Sequence, residues 1–132
     1  MKKLFLLFSL FFAISSLPAQ TNTSPAQVDI AKVLKFTNDN YDMGKIPYGK
    51  PTEFTVTIQN ISNNSISLDN VMVGCGCTTP KYTKDQIILP GATTTVILGF
   101  NGSALGNFSK SATLVFSGNL NKTVLFHGEG IQ

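Results

Sequence analysis

The sequence predicts an all-β chain folded as a two-sheet sandwich, and three observations carry that reading. Apolar and polar residues alternate with period two in several short runs, turn-forming residues separate those runs, and no body window of about 11 residues keeps the i, i+3, i+4 apolar spacing of a helix. At most one helical turn is expected, near Lys81 to Asp85.

Taken in order, Val33-Leu34-Lys35-Phe36 and Tyr41 to Ile46 read as two halves of a split first strand. Phe54, Val56 and Ile58 alternate with Thr55, Thr57 and Gln59, which marks a half-buried strand ending at Asn60. Ile66 and Leu68 lead through an expected irregularity at Asp69-Asn70 into Val71 and Val73. Val96, Leu98 and Phe100 form the next run, Ala112, Leu114 and Phe116 another, and Val124 with Phe126 closes the series. Asn63-Asn64-Ser65, Pro90-Gly91, Asn101-Gly102 and Gly118-Asn119 with Asn121 supply the turns, since Gly and Asn accept backbone conformations that other residues resist. About seven short strands in roughly 100 residues suit an Ig-like β-sandwich. With two Cys and no Trp, the Cys-Trp-Cys set of antibody domains is absent. A small barrel is the competing architecture.

Ahead of this body, Met1-Lys2-Lys3 is basic and Leu4 to Leu17 is an uncharged run of 14 residues. That is the length of a signal-peptide core rather than of a bilayer span of about 20 residues. Residues 1–19 are therefore expected to be a cleaved signal peptide, with cleavage after Ala19 or Gln20. Residues 20–30, rich in Ser, Thr, Asn and Gln, are expected to be a flexible leader, and residues 31–132 the Ig-like domain. No Cys precedes Cys75, so the usual attachment point of a lipoprotein anchor is missing. The mature protein is expected in the periplasm, at the cell surface or in the medium, with no membrane span left after cleavage.

Composition narrows the function classes. The chain carries ten Lys, no Arg and seven acidic residues, and without Lys2 and Lys3 the formal charge falls from +3 to +1. Recognition of phosphates and base edges relies on Arg forks and basic stripes, so a nucleic-acid partner is not expected. One His, His127, is thin material for acid-base chemistry, and no Gly-x-Ser-x-Gly turn is present to position a hydrolase nucleophile. Carboxylate pairs could be drawn from Asp42, Glu53, Asp69 and Asp85, but surface solvation accounts for them. The segment Tyr41 to Gly44 reads as a strand-and-turn corner rather than a sugar platform, and six Asn-x-Ser/Thr triplets follow from an Asn- and Thr-rich composition. No cofactor is called for.

The order of motifs resembles the CGC-type secreted domain-of-unknown-function family 1573, which is similar in fold to the Ig-like ASPM/SPD-2/Hydin and major-sperm-protein group. The residues that carry the resemblance are Tyr41-Asp42-Met43-Gly44-Lys45-Ile46, Phe54 to Asn60, Val71 through Cys75-Gly76-Cys77-Thr78, Pro80 and Pro90-Gly91. Phe100, Gly106, Phe108, Lys110 and Gly128 follow in the family's order, so the likeness runs from about Phe36 to Gly130. Two departures, Gln86 in place of a Pro and Gly118 between Ser117 and Asn119, are expected to fall in loops. The resemblance implies an exported bacterial Ig-like domain and supplies no activity.

Cys75 and Cys77, with Gly76, Thr78 and Pro80 as the supporting motif, are the one candidate site. Val71, Val73, Cys75 and Cys77 share a parity, so a continued strand would turn both thiols toward the core as small apolar plugs. In an oxidising compartment the pair could instead be bridged, because Gly76 lets the backbone bend. Such a bridge closes a loop so short that chain entropy yields only about 1.6 kcal/mol, the profile of a labile bond rather than a staple. Third, two thiolates could hold copper or zinc, with His127, Met43 or Met72 as further ligands. The favoured expectation is a non-enzymatic exported binding or accessory module that meets an envelope or extracellular protein through a sheet edge or end loops. The alternative is a thiol-redox or soft-metal site at Cys75 and Cys77.

Overall fold

A computed structural model describes residues 28–132. The expected signal peptide and most of the expected leader lie outside the described residues. At the start of the described chain, Ile30–Lys32 makes a 3₁₀ turn, with the Asp29 carboxylate accepting from the backbone N–H of Ala31 at 3.1 Å. Nine strands follow: β1 Leu34–Thr37, β2 Asn40–Pro47, β3 Thr52–Asn60, β4 Ile66–Val73, β5 Thr78–Lys81, β6 Gln86–Ile88, β7 Thr93–Phe100, β8 Gly106–Phe116 and β9 Leu120–Ile131. They form a four-stranded sheet in the order β1-β3-β7-β5 and a five-stranded sheet in the order β2-β9-β8-β4-β6. Only β2 and β9 run parallel; every other pairing is antiparallel.

The period-two pattern becomes the core directly. Phe54, Val56 and Ile58 of β3, Val96, Leu98 and Phe100 of β7, Ala112, Leu114 and Phe116 of β8 and Val124 with Phe126 of β9 are buried between the sheets. Phe126 lies with its ring centroid 5.3 Å from that of Phe54 and 6.2 Å from that of Phe100, joining the two layers by aromatic contact.

The first strand is split, as the sequence indicates, and the halves enter different sheets. The break falls at Asn38, which adopts φ 64° and donates from its side chain to the Thr55 carbonyl at 3.0 Å. Asn is one of the few residues that accepts this backbone region. The irregularity at Asp69-Asn70 is present as a register shift between Leu68 and Asn70. There the N–H of Val71 reaches the Tyr82 hydroxyl at 3.1 Å, and that hydroxyl donates to the Asn70 side chain at 2.9 Å, so Tyr82 closes the bulge.

Three expectations need correction. The sandwich has nine strands rather than about seven, because β5 and β6, four and three residues long, are too short to show an alternation. The turn expected near Lys81 to Asp85 is not helical; Lys84 and Asp85 make a tight turn with Asp85 at φ 56°. Gln86 opens β6 instead of lying in a loop, where its side-chain oxygen accepts from the Thr94 hydroxyl at 2.7 Å. Gly118 does lie in a turn, at φ 74°.

Candidate functional site

The candidate motif lies where the chain passes from one sheet to the other. β4 ends at Val73 in the five-stranded sheet, and β5 begins at Thr78 on the edge of the four-stranded sheet. Between them Gly74 to Cys77 form a bend and turn, so the continued strand that would have pushed both thiols into the core is not formed. Cys75 and Cys77 are half-buried and joined by a disulfide with Cα atoms 5.3 Å apart. The turn is closed by the Thr78 N–H on the Cys75 carbonyl at 3.3 Å, and it is tied to the end of β7 by the Asn101 N–H on the Cys77 carbonyl at 3.0 Å.

The supporting residues have distinct positions. Gly76 occupies the turn with open space around it, so neither crowding nor a positive φ demands glycine there. Thr78 is buried, and its hydroxyl lies 3.8 Å from the Cys77 sulfur. Pro80 sits opposite Leu98 in β5, an edge strand, which is where a residue without an N–H is tolerated. A cleft of about 190 Å³ opens beside the bridge, lined by Gly74, Cys75 and Thr78 on one side and by Ser109, Lys110 and Ser111 of β8 on the other.

The residues considered as further soft-metal ligands are not gathered at the bridge. Met43 packs against the core, Met72 stands exposed on β4, and His127 lies on β9. Among the described residues no group of three or more His, Cys, Asp or Glu is placed to hold an ion.

His127 has a different neighbourhood, which sequence spacing could not reveal. Its register partners are Asp42 on β2 and Ser109 on β8, so an Asp-His-Ser row crosses three adjacent strands. The His127 Nε2 is 4.0 Å from Asp42 Oδ1, beyond hydrogen-bond reach, and that carboxylate oxygen instead accepts from the Gly44 N–H at 2.8 Å. The row lies open to solvent and lacks the tight carboxylate-imidazole contact that an acid-base relay uses.

The model of the family Protein of unknown function (DUF1573) matches residues 34–129. Among curated proteins none matches the sequence. Among solved structures, the Vibrio cholerae VesB protease is similar at a TM-score of 0.64 and 13% identity, over 76% of this chain and 32% of that one. The ASH/PapD-like domain of human CEP192 is similar at a TM-score of 0.60 and 11% identity, over 93% of this chain and 99% of that domain. A Porphyromonas gingivalis protein of unknown function is similar at 0.62 and 16% identity, over 81% of this chain and 51% of its own. The chain thus spans about a third of the VesB chain and half of the P. gingivalis one, and these likenesses establish the sandwich fold alone.

Proposed function

The chain belongs to the DUF1573 family, and from that premise we propose that it is an exported, non-enzymatic Ig-like binding domain whose partner is another envelope or extracellular protein. Among the described residues no helix is long and apolar enough to cross a membrane. Export is supported by the basic start and 14-residue apolar run at the N-terminus, and by a disulfide, which persists in oxidising surroundings.

The observation that carries the proposal is the edge at β6. Each sheet has two edge strands, and three of the four carry features that discourage pairing with another chain. β1 holds Lys35, β2 is interrupted between Asp42 and Lys45 and ends at Pro47, and β5 holds Pro80 and Lys81. β6 pairs with β4 alone, contains neither Pro nor Lys, and presents Ile87 at 65% exposure with Leu89 just beyond it at 60%. An uncovered strand edge flanked by two large apolar side chains suits an extended segment of a partner: main-chain hydrogen bonds supply affinity and the side chains supply selectivity.

The test is crosslinked capture of a partner from the organism's own exported fraction. The Ile87→Lys/Leu89→Lys variant should lose capture while its melting curve stays within about 0.5 kcal/mol of the parent, as expected for exposed positions. Capture that survives both changes removes β6 from the reading, and a Lys35→Glu variant on β1 serves as the control expected to bind normally.

A further inference from the structure

We infer that the Cys75–Cys77 disulfide is a thiol-exchange site for a cysteine in an extended polypeptide laid along the open side of β8. This goes beyond the β6 reading and is independent of it, since the bridge lies past Val73 while β6 pairs with Ile66 to Leu68 at the other end of β4.

Two structural facts meet here. β8 pairs with β9 along its whole length, Gly106 to Phe116, but with β4 only from Ala112 onward, because β4 stops at Val73 and the chain leaves for the other sheet. Gly106 to Ser111 therefore have a strand neighbour on one side only, which is the arrangement an added strand completes. The disulfide faces the same place, across the cleft that Cys75 and Thr78 share with Ser109, Lys110 and Ser111.

The two sulfurs are not equivalent. Cys75 lines the cleft, whereas Cys77 packs against the core and has the Thr78 hydroxyl within reach at 3.8 Å. An incoming thiolate attacks the Cys75 sulfur; a bond forms between them, the Cys75–Cys77 bond breaks, and Cys77 leaves as a thiolate that accepts a hydrogen bond from Thr78 and then a proton. A second thiol of the same polypeptide displaces Cys75. The polypeptide's two thiols are oxidised to a disulfide, the bridge is reduced to two thiols, and two protons pass to Cys75 and Cys77. A second disulfide-bearing protein restores the bridge by the reverse steps. Lys110 also lines the cleft, on the β8 side. Because the bridge spans two positions within one turn, opening it detaches no strand: β4 stays paired with β8 and β5 with β7.

The test uses the purified folded protein with two probes, reduced glutathione and an extended pentapeptide carrying one central cysteine, quenched in acid and mapped by mass spectrometry. The mixed disulfide should form on Cys75, and the pentapeptide should react several-fold faster than glutathione. Thr78→Val should slow exchange about threefold, because the leaving thiolate loses its hydrogen bond, and Thr78→Ser should restore the rate. Attack at Cys77, a rate indifferent to Thr78→Val, or a bridge that reacts only after unfolding in urea would overturn the exchange site. A pentapeptide no faster than glutathione would overturn the role of the β8 edge.

Discussion

Replacing Asn60 by Ala should cost about 3 kcal/mol of stability, a large fraction of what a domain of this size possesses. Asn60 is the last residue of β3 and is fully buried. Its side-chain amide donates to the Asn64 carbonyl at 2.7 Å and the Ile88 carbonyl at 2.9 Å, while its side-chain oxygen accepts from the N–H and hydroxyl of Ser62 at 3.0 and 2.7 Å. One side chain thus ties the β3–β4 loop to β6. Truncation leaves the Ile88 carbonyl without its buried donor, at about 1–3 kcal/mol, and the three part-buried bonds, which water can replace, add roughly 0.5 kcal/mol each. Urea unfolding followed by fluorescence or circular dichroism reads the midpoint and slope. Asn60→Asp should be worse at neutral pH, since it aims a carboxylate at two carbonyl oxygens. Burial would hold that carboxyl above its ordinary pKa of about 4, so the native state would bind the extra proton. The deficit relative to the parent should then be small at low pH and grow as pH rises through the carboxylate range. A loss below about 0.5 kcal/mol for Asn60→Ala, or an Asp variant no worse than Ala at neutral pH, would refute the reasoning. Because Ile88 belongs to β6, the Ala variant should also weaken partner capture at Ile87 and Leu89.

Other consequences follow from the same structure. Replacing both Cys75 and Cys77 by Ser should cost no more than about 1.6 kcal/mol, the loop-entropy term for so short a bridge, whereas buried apolar plugs would cost more; urea unfolding of the oxidised parent and the variant separates the two. Gly130→Ala should cost about 3 kcal/mol or more, because the added Cβ would overlap the Ala104 carbonyl oxygen and lie 2.6 Å from its carbon, and backbone atoms cannot yield as a side chain does. Gly99→Ala is the control: its Cβ would meet nothing closer than 3.5 Å, and its loss in the same assay should be under about 1 kcal/mol.

Much of the fold is legible along the chain because side-chain alternation is a local property of a strand. Phe54 to Asn60, Val96 to Phe100 and Ala112 to Phe116 are read inward or outward from their neighbours alone, and the core follows. The bulge at Asp69-Asn70 is visible because two polar residues interrupt that alternation. What escapes is structure that depends on distant partners. β8 begins at Gly106 rather than at Ala112, since Asn107, Ser109 and Ser111 look like loop residues until β9 is laid beside them. β5 and β6 exist only because β7 and β4 offer them a neighbour.

At the candidate site the division is similar. The sequence by itself determined that two cysteines one residue apart stand at the end of a strand, that any bridge between them would be local, and that apolar alternation would build an all-β core. Only the tertiary structure decided that β4 crosses to the other sheet at Val73, leaving the bridge half-buried against the uncovered side of Gly106 to Ser111. It likewise placed Asn60 between the β3–β4 loop and β6, and Tyr82 in the bulge. Periodicity and turn chemistry are written in residues a few positions apart; pairing, crossover and cleft arise from residues that meet only when the sheets close.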